Sequence, residues 1–269
     1  MLWNAKNGKV DLNGTGMSYV SFGKGSKVLI LLPGLSDGLT TVKGKALLLA
    51  RPYSLFFEKY TVYMFSRRDV LPRSCTIREM AEDQARAIRI LGLDKVSVLG
   101  VSEGGMIAQY LAIDYPDMVD KLVLAVTAPK AGKLAKDCIE RWQDFANRGD
   151  HRSLMIDTAE CSYSDKYLRR FRKLYPVIGY IGKPESYARF LVNAAAISGF
   201  DCTAELGRIS CSTLIIGGGK DKIVGPDASR ELHEKIAGSQ LFMYEELGHA
   251  AYEEAPDFNQ RVFDFLEGS

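Results

Sequence analysis

The feature that most constrains the fold of this chain is a glycine-rich hexapeptide between a strand-like and a helix-like segment. It reads Gly-Val-Ser-Glu-Gly-Gly over residues 100–105, after the run 95–99 and before the apolar run 106–112. Glycines on both sides of Ser102 permit a tight turn that larger neighbours would block, with the serine hydroxyl projecting from it. The N–H groups of the following helix would then point towards any group bound at that serine. The motif therefore predicts a candidate nucleophile at a strand–helix corner.

Strand-like and helix-like segments alternate on both sides of this turn. The strand-like runs are 27–32, 60–65, 95–100, 121–126, 212–216 and 240–244. The helix-like segments are 76–91, 106–112, 228–236 and 257–266. This alternation predicts an α/β fold in which a mostly parallel sheet is flanked by helices. The opening segment, up to about Phe22, is expected to form an antiparallel hairpin.

The stretch 131–205 differs, because strand signals disappear and apolar residues recur at helical spacing. An all-helical segment inside such a scaffold predicts a lid over the carboxyl edge of the sheet, where ligands bind in open α/β folds. We therefore expect a core made of residues 1–130 and 206–269, with a helical lid inserted at 131–205. Residues 166–173 are locally basic, which favours a solvated helix face; attraction of anionic substrates or of a membrane surface is the alternative.

Composition limits the partners and the location of the protein. A net charge of +2 gives no indication of a dedicated nucleic-acid partner. The first residues are polar, and the strongest apolar run, 28–35, is too short to cross a bilayer, so we expect no stable membrane insertion. Five scattered cysteines without a C-x-x-C pair fit reduced thiols in the cytoplasm. No metal-ligand spacing is present, and we expect no metal site.

A serine hydroxyl becomes a good nucleophile only beside a base, and the base needs a third group to orient it. The chain has three histidines. His249 follows the last predicted strand and so shares a sheet edge with Ser102, whereas His151 lies in a polar turn of the insertion and His233 on a charged helix. We therefore predict that His249 is the base.

The orienting acid is expected after one of the two strands that follow the nucleophile. The segment after strand 121–126 contains no carboxylate up to Lys130, which excludes that position. The strand 212–216 leads instead to Asp221, with Asp227 further along the same loop. Asp221 is the predicted acid and Asp227 the alternative.

Attack by Ser102 would place negative charge on a carbonyl oxygen, which two backbone N–H groups should face. One is predicted to be that of Glu103, the residue after the serine. The other should come from the loop 33–38, and we assign it to Leu35. We also expect five side chains near the reacting group to line a substrate pocket. These are Ser36, Met106, Thr127, Trp142 and Val224.

Together these residues resemble the α/β-hydrolase superfamily, in its single-domain lidded branch of esterases, lactonases and prolyl aminopeptidases. The matching motifs span nearly the whole chain. They are Leu31-Leu32-Pro33-Gly34, Gly100-x-Ser102-x-Gly104-Gly105, the segment 216–224 and Gly248-His249. The order serine, aspartate, histidine is also that of the family. The resemblance implies an α/β-hydrolase fold and a serine acyl-enzyme route without a cofactor.

Two segments depart from the family pattern. Pro33-Gly34 stands where His-Gly is usual, and residues 66–74 lack the usual D-x-R-G-x-G-x-S. The expected function is hydrolysis of a small or medium carboxylic ester, lactone or related acyl substrate. The same three residues are compatible with acyl transfer or carbon–carbon bond hydrolysis. A ligand-binding receptor with negligible turnover is a further alternative, and the intact Ser102, Asp221 and His249 argue against it. The oligomeric state stays open.

Overall fold

The computed structural model describes residues 2–268, which form one eight-stranded sheet with helices on both faces. The sheet order is β1-β2-β4-β3-β5-β6-β7-β8. The strands are β1 Lys6–Asp11, β2 Gly16–Gly23, β3 Lys27–Leu32, β4 Tyr60–Arg68, β5 Val96–Val101, β6 Val119–Ala125, β7 Ser212–Gly218 and β8 Gln240–Tyr244. Strands β1 and β2 pair antiparallel, and β2 is antiparallel to β4, whereas the six strands from β4 to β8 in the sheet order are parallel. The predicted mostly parallel sheet with an antiparallel opening hairpin is confirmed.

The α-helices follow the predicted alternation. They are α1 Ala46–Ala50, α2 Ile77–Ile90, α3 Glu103–Asp114, α4 Lys133–Asn147, α5 His151–Ser162, α6 Asp165–Phe171, α7 Tyr175–Ile178, α8 Ala188–Ser198, α9 Pro226–Lys235, α10 Ala251–Glu254 and α11 Phe258–Glu267. Short 3₁₀ turns cover Leu2–Asn4, Leu35–Gly38, Arg51–Phe56, Arg172–Leu174 and Leu206–Arg208. Helix α2 begins at a capping box, because Thr76 and Glu79 exchange side-chain and backbone hydrogen bonds.

Strand β3 is buried on both faces of the sheet. Its residues 29–32 are all buried, and alternate side chains enter opposite hydrophobic clusters. Ile30 and Leu32 belong to the cluster that contains α2 and α3, whereas Leu29 and Leu31 belong to the cluster that contains α11. Burial on both faces explains the continuous apolar run in the sequence.

Between β6 and β7 the chain forms α4 to α8, and we call residues 131–205 the helical insertion. The expectation of a polar turn at His151 is wrong, since this residue begins α5 and is buried. Its Nε2 lies 2.9 Å from the carbonyl oxygen of Ile181. Within residues 2–268, no helix has the length and hydrophobicity needed to cross a membrane.

Candidate active site

Ser102 occupies a sharp turn between β5 and α3. Its backbone has φ 53° and ψ −118°, a conformation that is strained for a residue with a side chain. A Cβ atom at Gly104 would lie 1.9 Å from the carbonyl oxygen of Leu32, and one at Gly100 would lie 2.5 Å from that of Gly104. Only glycine fits at these two positions, because the turn packs directly against the end of β3.

Ser102, His249 and Asp221 meet at the carboxyl edge of the sheet. The Nε2 atom of His249 lies 2.9 Å from Ser102 Oγ, and its Nδ1 lies 2.8 Å from Asp221 Oδ2. Asp221 follows β7 and His249 follows β8, so parallel strands bring together residues far apart in sequence. Asp227 lies exposed in the first turn of α9 and takes no part in this line of contacts. His233 is also exposed.

The environment of Asp221 keeps its carboxylate charged. Its Oδ1 accepts hydrogen bonds from the backbone N–H groups of Ile223 at 2.8 Å and Val224 at 3.0 Å. Burial by itself raises the pKa of the carboxyl, but His249 and these two donors outweigh burial and bring the pKa below its usual value. An ionised Asp221 accepts a hydrogen bond from the Nδ1–H group of His249, which leaves Nε2 as the acceptor facing Ser102.

The two predicted N–H donors flank the serine. A Cβ atom at Gly34 would lie 3.3 Å from Ser102 Cβ, so the loop that carries Leu35 rests against the turn. Leu35 and Glu103 are the first residues of a 3₁₀ turn and of α3, respectively. Within residues 2–268, the N–H group of neither residue has a backbone or side-chain acceptor. Both donors are therefore available to a bound group.

A cavity of about 110 Å³ lies above Ser102, between the sheet edge and the helical insertion. The core contributes Gly34, Leu35, Ser36, Ser102, Met106, Ile223, Val224, His249 and Tyr252, and the insertion contributes Ala135, Ile139, Trp142, Thr158, Ser162 and Ile197. This lining contains no lysine, arginine, aspartate or glutamate. Within the described residues, no group of three or more His, Cys, Asp or Glu side chains is placed to hold a metal ion.

Four of the five predicted pocket residues line this cavity, namely Ser36, Met106, Trp142 and Val224. The prediction for Thr127 is wrong. Its side chain is fully buried, and its hydroxyl donates a hydrogen bond of 2.7 Å to the carbonyl oxygen of Ser102. Thr127 therefore supports the turn from below instead of facing the cavity.

Sequence reasoning missed a buried ion pair behind the serine. Arg67 Nη2 lies 2.9 Å from Glu103 Oε2, and both side chains are almost completely excluded from solvent. The same nitrogen donates to the carbonyl oxygen of Pro33 at 2.6 Å. Arg67 belongs to the segment 66–74, whose departure from the family pattern was the only signal in the sequence. A charged pair separated by 36 positions leaves no local pattern to recognise.

The comparisons with known proteins agree with this architecture. A family model described as the alpha/beta hydrolase fold matches residues 27–256. A 2-hydroxy-6-oxononadienedioate/2-hydroxy-6-oxononatrienedioate hydrolase of Klebsiella pneumoniae is 29% identical over 65% of this chain. The alignment spans 64% of that enzyme's length.

Two further proteins match over more of the chain. Serine hydrolase BPHL of Mus musculus is 27% identical over 96% of this chain and 86% of its own length. The crystal structure of the enol-lactonase from Burkholderia xenovorans LB400 superposes with a TM-score of 0.80 at 21% identity, covering 96% of this chain and 99% of that one. With the family model matching most of its length, this chain belongs to the α/β-hydrolase family.

Proposed function

We propose that the protein is a serine hydrolase that cleaves small, uncharged carboxylic esters or lactones. One observation carries the proposal: Ser102 Oγ, the His249 ring and the Asp221 carboxylate form a continuous hydrogen-bonded line with contacts of 2.9 and 2.8 Å. This line ends at the floor of a cavity, where a substrate carbonyl would meet the serine.

In the first half of the reaction, Ser102 Oγ bonds to the carbonyl carbon of the ester while its proton passes to His249 Nε2. The carbonyl oxygen becomes negatively charged and accepts hydrogen bonds from the N–H groups of Leu35 and Glu103. Loss of one such donor typically lowers kcat by about 10²–10³-fold. Collapse of the tetrahedral intermediate breaks the bond to the alcohol, which leaves with the proton from His249, and an acyl group stays on Ser102.

In the second half, His249 takes a proton from a water molecule, whose oxygen attacks the acyl carbon. The second tetrahedral intermediate then breaks the bond to Ser102 Oγ, and the proton returns from His249 to that oxygen. The carboxylic acid is released and the enzyme is regenerated. Asp221 stays ionised throughout, since its partners lower its pKa, and it stabilises the charged imidazole.

The lining of the cavity supports an uncharged and small substrate. It is built from apolar and hydroxyl side chains without lysine or arginine, and burying a carboxylate without a charged partner is costly. The name of the Klebsiella relative denotes a substrate with two carboxylates. The present cavity has no cation to pair with either of them, so we favour neutral esters and lactones over carbon–carbon bond hydrolysis of such acids.

We further propose that the helical insertion acts as a lid. Helices α4, α5 and α8 supply six of the residues that line the cavity, on the side opposite the sheet edge. A lid of this kind would exclude bulk water from Ser102 once the substrate is bound.

Labelling with a fluorophosphonate tests the proposal directly. The protein is incubated with the probe and then digested, and the modified peptide is located by mass spectrometry. We expect a single adduct on Ser102, turnover of p-nitrophenyl butyrate, and neither in Ser102→Ala. A folded protein without an adduct on Ser102 would contradict the proposed mechanism.

Product analysis separates the alternatives. Hydrolysis yields the free acid even when a competing alcohol is present, whereas an acyltransferase would yield the new ester. Bond cleavage in a neutral 1,3-diketone, with no turnover of esters, would favour carbon–carbon hydrolysis. A receptor would gain thermal stability with a ligand but form no product.

A further inference from the structure

The buried ion pair behind Ser102 connects the two N–H donors that the reaction uses. We propose that Arg67 is a positioning residue, which fixes the loop carrying Leu35 relative to the N-terminus of α3 carrying Glu103. This inference rests on the proposed function, because it concerns the oxyanion site of that reaction. Arg67 does not line the cavity, so we expect it to act through these two donors.

Arg67 contacts both the loop that carries Leu35 and the first residue of α3. Its Nη2 donates to the Pro33 carbonyl oxygen, two residues before Leu35 in the loop, and also to the Glu103 carboxylate. The N–H of Arg67 donates in addition to Asp37 Oδ2 at 2.9 Å, two residues after Leu35. The loop is therefore held on both sides of Leu35, and the same residue holds Glu103.

A second arginine attaches this loop to the helical insertion. Arg189, on α8, donates to the carbonyl oxygen of Asp37 at 2.6 Å and to its Oδ2 at 2.9 Å. It also donates to the Arg67 carbonyl oxygen at 3.1 Å. The two ion pairs are Arg67 with Glu103 and Arg189 with Asp37, so the positive and negative formal charges of this group are equal in number.

Burial makes the arrangement rigid. The side chains of Arg67, Glu103 and Asp37 are each no more than 1% exposed. Burial raises the pKa of Glu103, and the attractions of Arg67 and Arg189 oppose that rise. Both acceptors bond to the same nitrogen of Arg67, Nη2, in a site without solvent, so displacement of either acceptor breaks a charge-assisted hydrogen bond. A displacement of about 1 Å at a reacting group can lower the rate by about 10²-fold.

The test must separate positioning from stability, since removing one member of a buried ion pair leaves an uncompensated charge. Replacing both members by apolar side chains of similar size is often tolerated. The informative protein is therefore the double variant Arg67→Met/Glu103→Met, which keeps both backbone N–H groups. Arg68→Met is the matched control, because Arg68 is the next residue and its side chain pairs with Asp83, 3.1 Å away.

With p-nitrophenyl butyrate, we expect the double variant to keep a melting temperature near that of the wild type and to lose about 10²-fold in kcat. Its KM should change little. Its affinity for an alkylboronic acid, whose tetrahedral adduct occupies the oxyanion site, should fall by a similar factor. Arg68→Met should lose stability but keep the wild-type kcat and boronate affinity.

A folded double variant with wild-type kcat and wild-type boronate affinity would overturn the positioning role. If the double variant does not fold, Arg67→Lys is measured by the same criteria, because lysine keeps the charge but is one bond shorter, so its Nζ falls short of the position of Nη2. A folded Arg67→Lys protein with unchanged kcat would also overturn the proposal. Failure of the proposed function itself is distinguishable, since the wild type would then neither hydrolyse the ester nor bind the boronic acid.

Discussion

The floor and the roof of the cavity differ in the kinds of side chain that line them. The floor lies at the ends of parallel strands and holds Ser102, His249 and Asp221 in hydrogen-bonded contact. The roof consists of α4, α5 and α8, which present apolar and hydroxyl side chains such as Ile139 and Thr158. The floor contains an ionised side chain and a fixed line of hydrogen bonds, whereas the roof contributes uncharged side chains that define the shape of the cavity. We infer that the floor determines the chemistry and the roof determines which substrate is accepted.

The largest expected effect is on the floor. His249→Ala should lower kcat by about 10⁶-fold, because Ser102 loses the base that, among residues 2–268, lies within hydrogen-bond distance of its Oγ. The melting temperature should change by only a few degrees. Steady-state hydrolysis of a neutral ester, together with thermal unfolding, measures both quantities.

The residues of the floor should also act as one unit. The double variant Ser102→Ala/His249→Ala should be about as inactive as either single variant. Additive losses would show that His249 works independently of the serine, and the contrast between floor and roof would then have no catalytic basis.

A substitution in the roof should change preference and leave the chemistry intact. Ile139→Ala removes a buried side chain from the cavity wall and should shift kcat/KM towards longer acyl chains by about tenfold or more. It should also lower the free energy of unfolding by about 2–5 kcal/mol. The measurement is kcat/KM for a series of p-nitrophenyl esters from acetate to octanoate.

The matched control for this variant is Leu154→Ala. Leu154 is buried in α5, in the same insertion, but does not line the cavity. It should show a comparable loss of stability and no shift in chain-length preference. If both variants shift the preference equally, loosening of the insertion, not its shape, determines selectivity.

The smallest effect concerns the outer side of the roof. Hydrogen bonds from Arg172, then from Tyr175, lower the pKa of Glu160 to about 2. The folded pKa is below the usual value of a glutamate, so the ionised side chain stabilises the folded state at pH values above about 4.5. That contribution is lost as the pH falls towards 2.

Glu160→Gln should therefore lower stability at pH 7, by less than about 1 kcal/mol because the pair is partly solvated and screened. Denaturant unfolding at pH 7, 4 and 3 would follow the difference from the wild type, which should shrink as the pH falls from about 4.5 towards 2. A difference that is independent of pH would assign the effect to packing, and kcat should be unchanged at pH 7.

The residues of the floor could be predicted from the sequence more fully than the buried polar contacts that surround them. Ser102, Asp221 and His249 each follow a recognisable strand, and parallel strands bring such positions to one edge whatever their separation along the chain. Strand and helix bounds differ from the predicted ones by a few residues, as in α9, which begins at Pro226 and not at residue 228.

Long-range polar contacts could not be predicted. Arg189 bonds to Asp37 across 152 positions, and neither residue shows a periodic or motif signal that would identify its partner. Thr127 was misplaced because the chain turns sharply after β6, where Val126 has a φ of 45°. A positive φ at a β-branched residue is not expected from local propensity. Each of these features depends on the assembled fold.

The close contact between Gly104 and the Leu32 carbonyl oxygen has a consequence for folding order. The turn that presents Ser102 packs against the end of β3, and more than 60 residues separate this strand from β5. Closing a loop of this length has an entropic cost, so we expect this packing to form late in folding. We therefore expect Ser102 to become reactive towards a phosphonate late in refolding, when the sheet is complete. Earlier species that already contain native helices should not be labelled.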